Sequence, residues 1–211
     1  ASGKRRWSFQ RQNPPLVLRQ TSAAAITPGT AFVGLPGGRL VALGLESGAL
    51  RWEAAVSQPR GSTEIERIAD VVGSPLVSGR EVCAASFQGK LACLELASGR
   101  PLWGRDVSTA TGIDVDARLV SIVDDLDVVQ AFTRTGTSVW KQDKMSRRGL
   151  SAPLSLGPVL VVGDRQGLVV LLSRDDGAVA GRFATDGTPI VAAPAGAGRT
   201  AVVLTSGGTL A

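Results

Sequence analysis

Histidine and tyrosine are both missing from this 211-residue chain. Their absence excludes a Ser-His-Asp or Cys-His nucleophile, a histidine-ligated zinc and a histidine general base. No run of about 18 apolar residues occurs, so no segment reads as a membrane-spanning helix. Cysteine is nearly missing too. Cys83 and Cys93 are too few and wrongly spaced for a zinc site. They flank Gln88-Gly89, a hairpin tip, so they face each other across two strands. Two small buried residues is the favoured reading, and a disulfide in an oxidising compartment stays open. Acidic residues are in deficit, 18 against 23 basic ones. Lys4, Arg5, Arg6, Arg11 and Arg19 stand in the first twenty residues with no acid among them. A nucleic-acid arm is one reading of such a cluster, and a solvated segment is the favoured one.

Glycine, by contrast, is abundant, with 26 residues, and it is periodic. Five segments share a small polar residue, a glycine, three residues and then a bulky position: Ser2-Gly3 to Trp7, Ser47-Gly48 to Trp52, Ser98-Gly99 to Trp103, Thr135-Gly136 to Trp140, and Asp176-Gly177 to Gly181, where the tryptophan is lost. The glycine-to-glycine steps are 45, 51, 37 and 41 residues, and all four tryptophans of the chain occupy this slot. A second marker keeps the same phase: Pro75, Pro153 and Pro194 are each followed four residues later by Gly79, Gly157 and Gly198.

Within a period, short apolar runs are joined by turn residues. Glu81 to Phe87 and Lys90 to Leu96 meet at Gln88-Gly89; Ala31 to Gly34 and Arg39 to Leu45 meet at Pro36-Gly37-Gly38; Val159 to Gly163 and Leu168 to Leu172 meet at 164–167. Helical periodicity is nowhere sustained. About four strands in roughly 40–45 residues is the size of one propeller blade. The expected fold is therefore all-β, a single β-propeller segment over residues 1–211 built of four-stranded antiparallel blades, about five of them. The tryptophans are expected to fill the widening gap between blades, with Gly48, Gly99 and Gly136 turning at positive φ. The last residues, Gly207 to Ala211, match Gly37 to Val41 and so fall in the middle of another blade.

Two stretches break the rhythm. The 51-residue period carries its excess at 58–70, where Thr63-Glu64-Ile65-Glu66 reads as a capping box. Asn13 to Arg19 follows the first tryptophan strand, with Pro14 and Pro15 keeping it extended. Leu16, Leu18 and Arg19 form either a buried blade entrance or a shallow contact patch with an apolar pair and a charge.

The segment GSTEIERIAD at 61–70, LVLR at 16–19 and the blade phrase GKLACLELASGRPLW at 89–103 resemble the BamB family, lipoprotein subunits of the bacterial outer-membrane β-barrel assembly machinery. The resemblance runs along nearly the whole chain. It implies an eight-bladed ring of which this is the C-terminal part, held in the periplasm on the outer membrane by a lipid anchor outside this sequence. It implies a non-enzymatic scaffold that docks on a periplasmic POTRA repeat of BamA, needs no cofactor, binds no nucleic acid and presents its sheet edges to unfolded barrel strands. The family's contact patch falls on Leu16, Leu18 and Arg19, with Asp70 as its acidic partner; the second acid of that loop is replaced by Val72. Arg19 and Asp70 are thus expected to form a charged rim around the leucines.

Two other readings compete. A quinone-cofactor dehydrogenase shares the blade phrase, but this chain has no adjacent cysteines, and Asp114 with Asp116 or Asp124-Asp125-Leu126-Asp127 lacks calcium-loop spacing. These acids read as turn residues. A generic protein-interaction propeller shares every structural expectation and differs only in its partner.

Overall fold

A glycine that adopts positive φ lets a strand reverse within a few residues, and the recurring small-polar-glycine turns do so at each step. The computed structural model describes residues 3–19 and 22–211. Ser2, the first residue of the first repeat, lies outside the described residues. The chain divides into two compact units, Ala1–Ser108 and Thr109–Ala211.

The first unit holds two four-stranded antiparallel meanders. One comprises β1 (Ala25–Thr27), β2 (Thr30–Leu35), β3 (Arg39–Gly44) and β4 (Leu50–Ala55); the other comprises β5 (Val71–Ser78), β6 (Glu81–Ser86), β7 (Leu91–Glu95) and β8 (Pro101–Arg105). The second unit repeats the pattern in β9 (Ile113–Val115), β10 (Leu119–Val123), β11 (Val129–Thr133) and β12 (Ser138–Gln142), then β13 (Leu154–Leu156), β14 (Val159–Gly163), β15 (Leu168–Ser173) and β16 (Val179–Ala184). A two-stranded piece, β17 (Ala195–Ala197) with β18 (Thr200–Val202), follows, and a Leu204–Leu210 bridge starts its next turn. Among the described residues there is no α-helix.

Burial follows position in the meander. The middle strands β2, β3, β6 and β7 have no exposed residue, whereas β4 and β8 are largely exposed. The middle strands therefore read as continuous Val, Leu and Ala runs instead of alternating ones, since both their faces are covered. In the first unit Phe32, Leu40, Val71, Val82 and Leu94 form one core between the two sheets. In the second, Leu119, Val129, Trp140, Leu160 and Leu172 do the same.

The tryptophan of one repeat docks on the glycine turn of the next sheet, from the last strand of its own sheet at Trp52 and Trp140. Trp7 Nε1 donates to the Leu45 carbonyl at 2.9 Å, Trp52 to Leu96 at 3.1 Å and Trp140 to Arg174 at 2.9 Å. Each acceptor lies three residues before a glycine, and a Cβ on Gly48, Gly99 or Gly177 would sit 2.6, 2.6 or 2.5 Å from the ring carbons. These glycines have φ of 69°, 71° and 73°, so both the turn and the close ring contact require them. Gly136 has φ 81°, as expected.

A bulge recurs at one register in every sheet, beside the pairs Ala42–Trp52, Cys93–Trp103, Ala131–Trp140 and Leu171–Gly181. A small residue faces each tryptophan. Where the tryptophan is lost, its partner has grown to leucine, and the Leu171 Cδ1 atom would lie 3.5 Å from a Cβ on Gly181. The larger partner fills part of the space that the missing indole leaves, as close packing favours.

Cys83 and Cys93 are bridged, which corrects the favoured reading of two separate buried residues. Arg80 with Leu96 and Ser86 with Lys90 are backbone hydrogen-bonded pairs, so the alternation of the ladder makes Cys83–Cys93 a non-hydrogen-bonded pair. Directly opposed Cα atoms are closest at such pairs, and here they are 4.0 Å apart. Both cysteines are fully buried.

Leu171→Ala and Gly181→Trp made together should destabilise the chain less than the sum of the two single changes. The coupling expected for a touching pair is on the order of 0.5–3 kcal/mol. Denaturant melts of the four proteins measure it, and strictly additive losses would show that the two sites do not share volume.

Candidate functional site

The segment 14–19, the β2–β3 turn, the insertion at 58–70 and the β6–β7 turn come together at one end of the first unit's two sheets. Asp70 joins them. Its Oδ2 accepts the Leu18 N–H at 2.6 Å, its Oδ1 accepts the Gly37 N–H at 2.9 Å, and its own carbonyl accepts the Phe87 N–H at 2.9 Å. The side chain is buried, with 5 % exposure. An ionised carboxylate accepting two backbone N–H groups in a dry setting is a strong clasp. Asp70 is therefore the residue that shapes the patch from beneath. It does not stand on a charged rim beside Arg19, contrary to the expectation from sequence.

Leu16 is 40 % exposed and Leu18 is half-buried. Arg19 is exposed. Pro14 and Pro15 lead into them, and Gly37 leaves room for Pro14, whose Cγ would be 3.5 Å from a Cβ there. Leu16 and Arg19 thus face solvent beside a half-buried Leu18, whose backbone is fixed by a carboxylate 52 residues away. Val72 is 2 % exposed and paired with Ala85 inside the sheet. Its loss of the acid is consequently a change in the core, and it does not make the exposed patch more basic.

The insertion keeps its capping box without forming a helix. Thr63 Oγ1 accepts the Glu66 N–H at 3.2 Å, and Glu66 Oε2 accepts the N–H groups of Thr63 at 3.0 Å and Ser62 at 2.8 Å. These backbone donors, Thr63 foremost and then Ser62, hold the Glu66 carboxyl below its usual range. Gln88, with its amide nitrogen turned toward the loop, reaches the carbonyls of Ile65, Glu66 and Ile68 at 3.1, 3.0 and 3.3 Å. Gln88 was read from sequence only as a hairpin tip; its positive φ of 48° and this tie to the insertion have no local signature. Ile65 at the tip of the insertion is 66 % exposed.

The other singled-out residues serve the fold. Arg6 pairs with Glu46 at 3.0 Å, and Arg11 pairs with Glu53, so two cations of the basic N-terminal stretch lie against the first sheet. Asp124 accepts the N–H groups of Leu126 and Val128 and the Gln130 amide; Asp127 accepts those of Gly149 and Leu150; Asp114 accepts that of Ser155. Asp124 and Asp127 are turn and loop anchors, as expected; Asp114 is not a turn residue but lies in β9 and ties it to β13 of the next sheet. A quinone group with its calcium does not fit these residues, because the cysteines are bridged across strands in the core and these carboxylates are committed to backbone donors.

Four-stranded antiparallel meanders, locked one to the next by tryptophan on a glycine turn, define a β-propeller of the quinoprotein-like class. Comparison with known proteins gives the family. The family model described as "Outer membrane protein assembly factor BamB" matches residues 1–142 and 125–211. The outer membrane protein assembly factor BamB of Burkholderia pseudomallei is 45 % identical over 210 residues, covering 98 % of this chain and 55 % of that protein. Among solved structures, the crystal structure of BamB from Moraxella catarrhalis superposes with a TM-score of 0.90 at 28 % identity, over 97 % of this chain and 62 % of that one. A europium-containing methanol dehydrogenase shares the fold alone, with a TM-score of 0.60 at 15 % identity, over 78 % of this chain and 41 % of that one. The chain belongs to the BamB family and spans about half the length of the curated relatives it matches.

Asp70→Asn should cost about 1.5–3 kcal/mol, the worth of hydrogen bonds to a charged group, since the amide keeps the size and loses one acceptor. The Leu18 amide should exchange its hydrogen faster in that variant; unchanged stability and unchanged exchange would remove the clasp. For the insertion, the lowered Glu66 midpoint means that the box is complete above the ordinary glutamate range and is lost as pH falls through that lowered midpoint. An NMR titration should show the Ser62 and Thr63 amides moving with the Glu66 carboxyl below the ordinary range. A midpoint within or above it would mean that the box is open in solution.

Proposed function

We propose that the chain is part of a non-enzymatic scaffold of the outer-membrane β-barrel assembly machinery, docking on the periplasmic POTRA region of BamA. Leu16 and Leu18 supply a small dry centre to the contact, and Arg19 supplies a charge that steers and registers it. Asp70 acts from below by fixing the Leu18 backbone, so that little ordering remains to be done on binding. The observation that carries the reading is this clasp: a buried carboxylate dedicated to holding a loop whose leucine and arginine face solvent. Membership of the BamB family supports the partner and the setting, the periplasmic side of the outer membrane, reached through a lipid anchor outside this sequence. Presentation of sheet edges to unfolded barrel strands is part of the same reading. A generic interaction propeller would share the fold and lack this partner.

Calorimetric titration of the folded chain, checked first by circular dichroism, with the soluble POTRA region of a matching BamA tests the proposal. Binding that is lost with Arg19→Glu and weakened with Asp70→Asn is expected. Full binding by Arg19→Glu, or no heat from a folded chain, would overturn it.

A further inference from the structure

At the opposite end of the first unit's sheets, where the β1–β2 and β7–β8 turns approach, lies a cleft of about 430 Å³. The second unit contains the matching place between its own two sheets, and the two can be compared position by position. There, Arg174, three residues before Gly177, donates to the carboxylate of Asp116 and to the Gly157 carbonyl. Arg118 beside it pairs with Asp175 at 2.6 Å. Each of these guanidiniums meets a carboxylate, and the ion pair ties one sheet to the next.

In the first unit that pair is gone. Leu96 stands where Arg174 does, three residues before its glycine, and Thr27, paired with Thr30 across its hairpin, stands where Asp116 does opposite Leu119. Two cations have appeared on the walls instead. Arg51 precedes Trp52 where Val139 precedes Trp140, and Arg80 stands where Pro158 does. Arg51 is laid along the glycines at 29 and 44 and donates to a neutral oxygen, Thr30 Oγ1, at 2.6 Å. The third charged group of the lining, Glu95, is held mainly by Ser98 Oγ, which donates to it at 2.6 Å, and by Arg100 at 3.5 Å, with the Arg80 charge acting on it more weakly. Trp52 forms the floor, backed by Phe32 with ring centroids 5.7 Å apart.

A cleft of this volume is within the range of small-molecule sites. An aromatic floor takes a flat apolar body, and two guanidiniums set against the single carboxylate of Glu95 leave an excess of positive charge on the walls for a planar anion. We propose that this cleft binds a small aromatic carboxylate, its ring against Trp52 and its carboxylate between Arg51 and Arg80. The inference stands on the comparison of the two clefts and is independent of the docking patch at the other end of the sheets.

The probe is 2-naphthoate, titrated into the chain while the Trp52 indole N–H signal is followed by NMR. A saturable shift of that signal is expected, with affinity reduced about tenfold or more in Arg80→Gln and lost in Arg80→Glu. Arg51→Gln should behave alike; should it fail to fold for want of the Thr30 bond, the exposed Arg80 variants carry the test alone. Arg118→Gln, in the second unit's cleft, should bind as the parent does. Neutral 2-naphthylmethanol should bind about tenfold more weakly than the acid. Equal binding of the alcohol and the acid would reduce the cleft to an apolar crevice and overturn the proposal, as would a Trp52 signal that does not move or an Arg80→Glu variant that binds normally.

Discussion

The fold depends on one repeated contact, a tryptophan ring laid on a glycine turn with its indole N–H donating to a carbonyl three residues earlier. It is seen at Trp7 on Gly48, Trp52 on Gly99 and Trp140 on Gly177. A sheet that is covered on both faces buries few polar side chains, Ser86 and Ser121 among them, so side-chain hydrogen bonds in the core do little to register successive sheets. The indole does both tasks: it buries a large apolar surface and satisfies a backbone carbonyl at the turn. The glycine is the other half of the device, because any Cβ would enter the ring.

Once the sheets are registered, their turns fall at two ends, and the two ends have been put to different uses. At one end the turns of the first unit converge on Asp70, a buried acid that spends both oxygens on backbone donors and so shapes a surface it does not itself reach. At the other end of the first unit's sheets a cleft is lined by Arg51, Arg80 and Trp52, whereas the matching cleft within the second unit is crossed by the Arg174–Asp116 pair. The same repeat thus lines one cleft with an ion pair between its sheets and another with an aromatic floor and two guanidiniums, through substitutions that do not alter the strands. Fold and site are separable in this architecture because the strands carry the core and the turns carry the chemistry.

The substitution of leucine for alanine at 171, opposite the one blade position where tryptophan has become Gly181, shows how tightly the repeat is constrained. Part of the volume lost on one strand is made up on its neighbour, and the bulge beside it is kept. The bridged cysteines occupy the corresponding pairing zone of another sheet, with Cys93 in the small-residue position facing Trp103.

By itself the sequence determined the repeat, the strands and the turns, because these depend on contacts between near neighbours. The hairpins at Pro36-Gly37-Gly38, Gln88-Gly89 and 164–167, the positive-φ glycines and the capping box at Thr63–Glu66 are all local patterns. The exposed residues of the patch, Leu16 and Arg19, were legible too, through their place in an irregular loop and a family resemblance. What only the tertiary structure decided was the set of partners distant in the chain. Asp70 was read as a surface charge, and it is an internal clasp for an amide 52 residues away. Val72 was read as a missing surface acid, and its strand turns it into the core. The reach of Gln88 and the bridging of Cys83 to Cys93 likewise depend on register. An acid on a surface loop and an acid beneath one have the same local sequence; which it becomes is set by the donors that the fold brings to it.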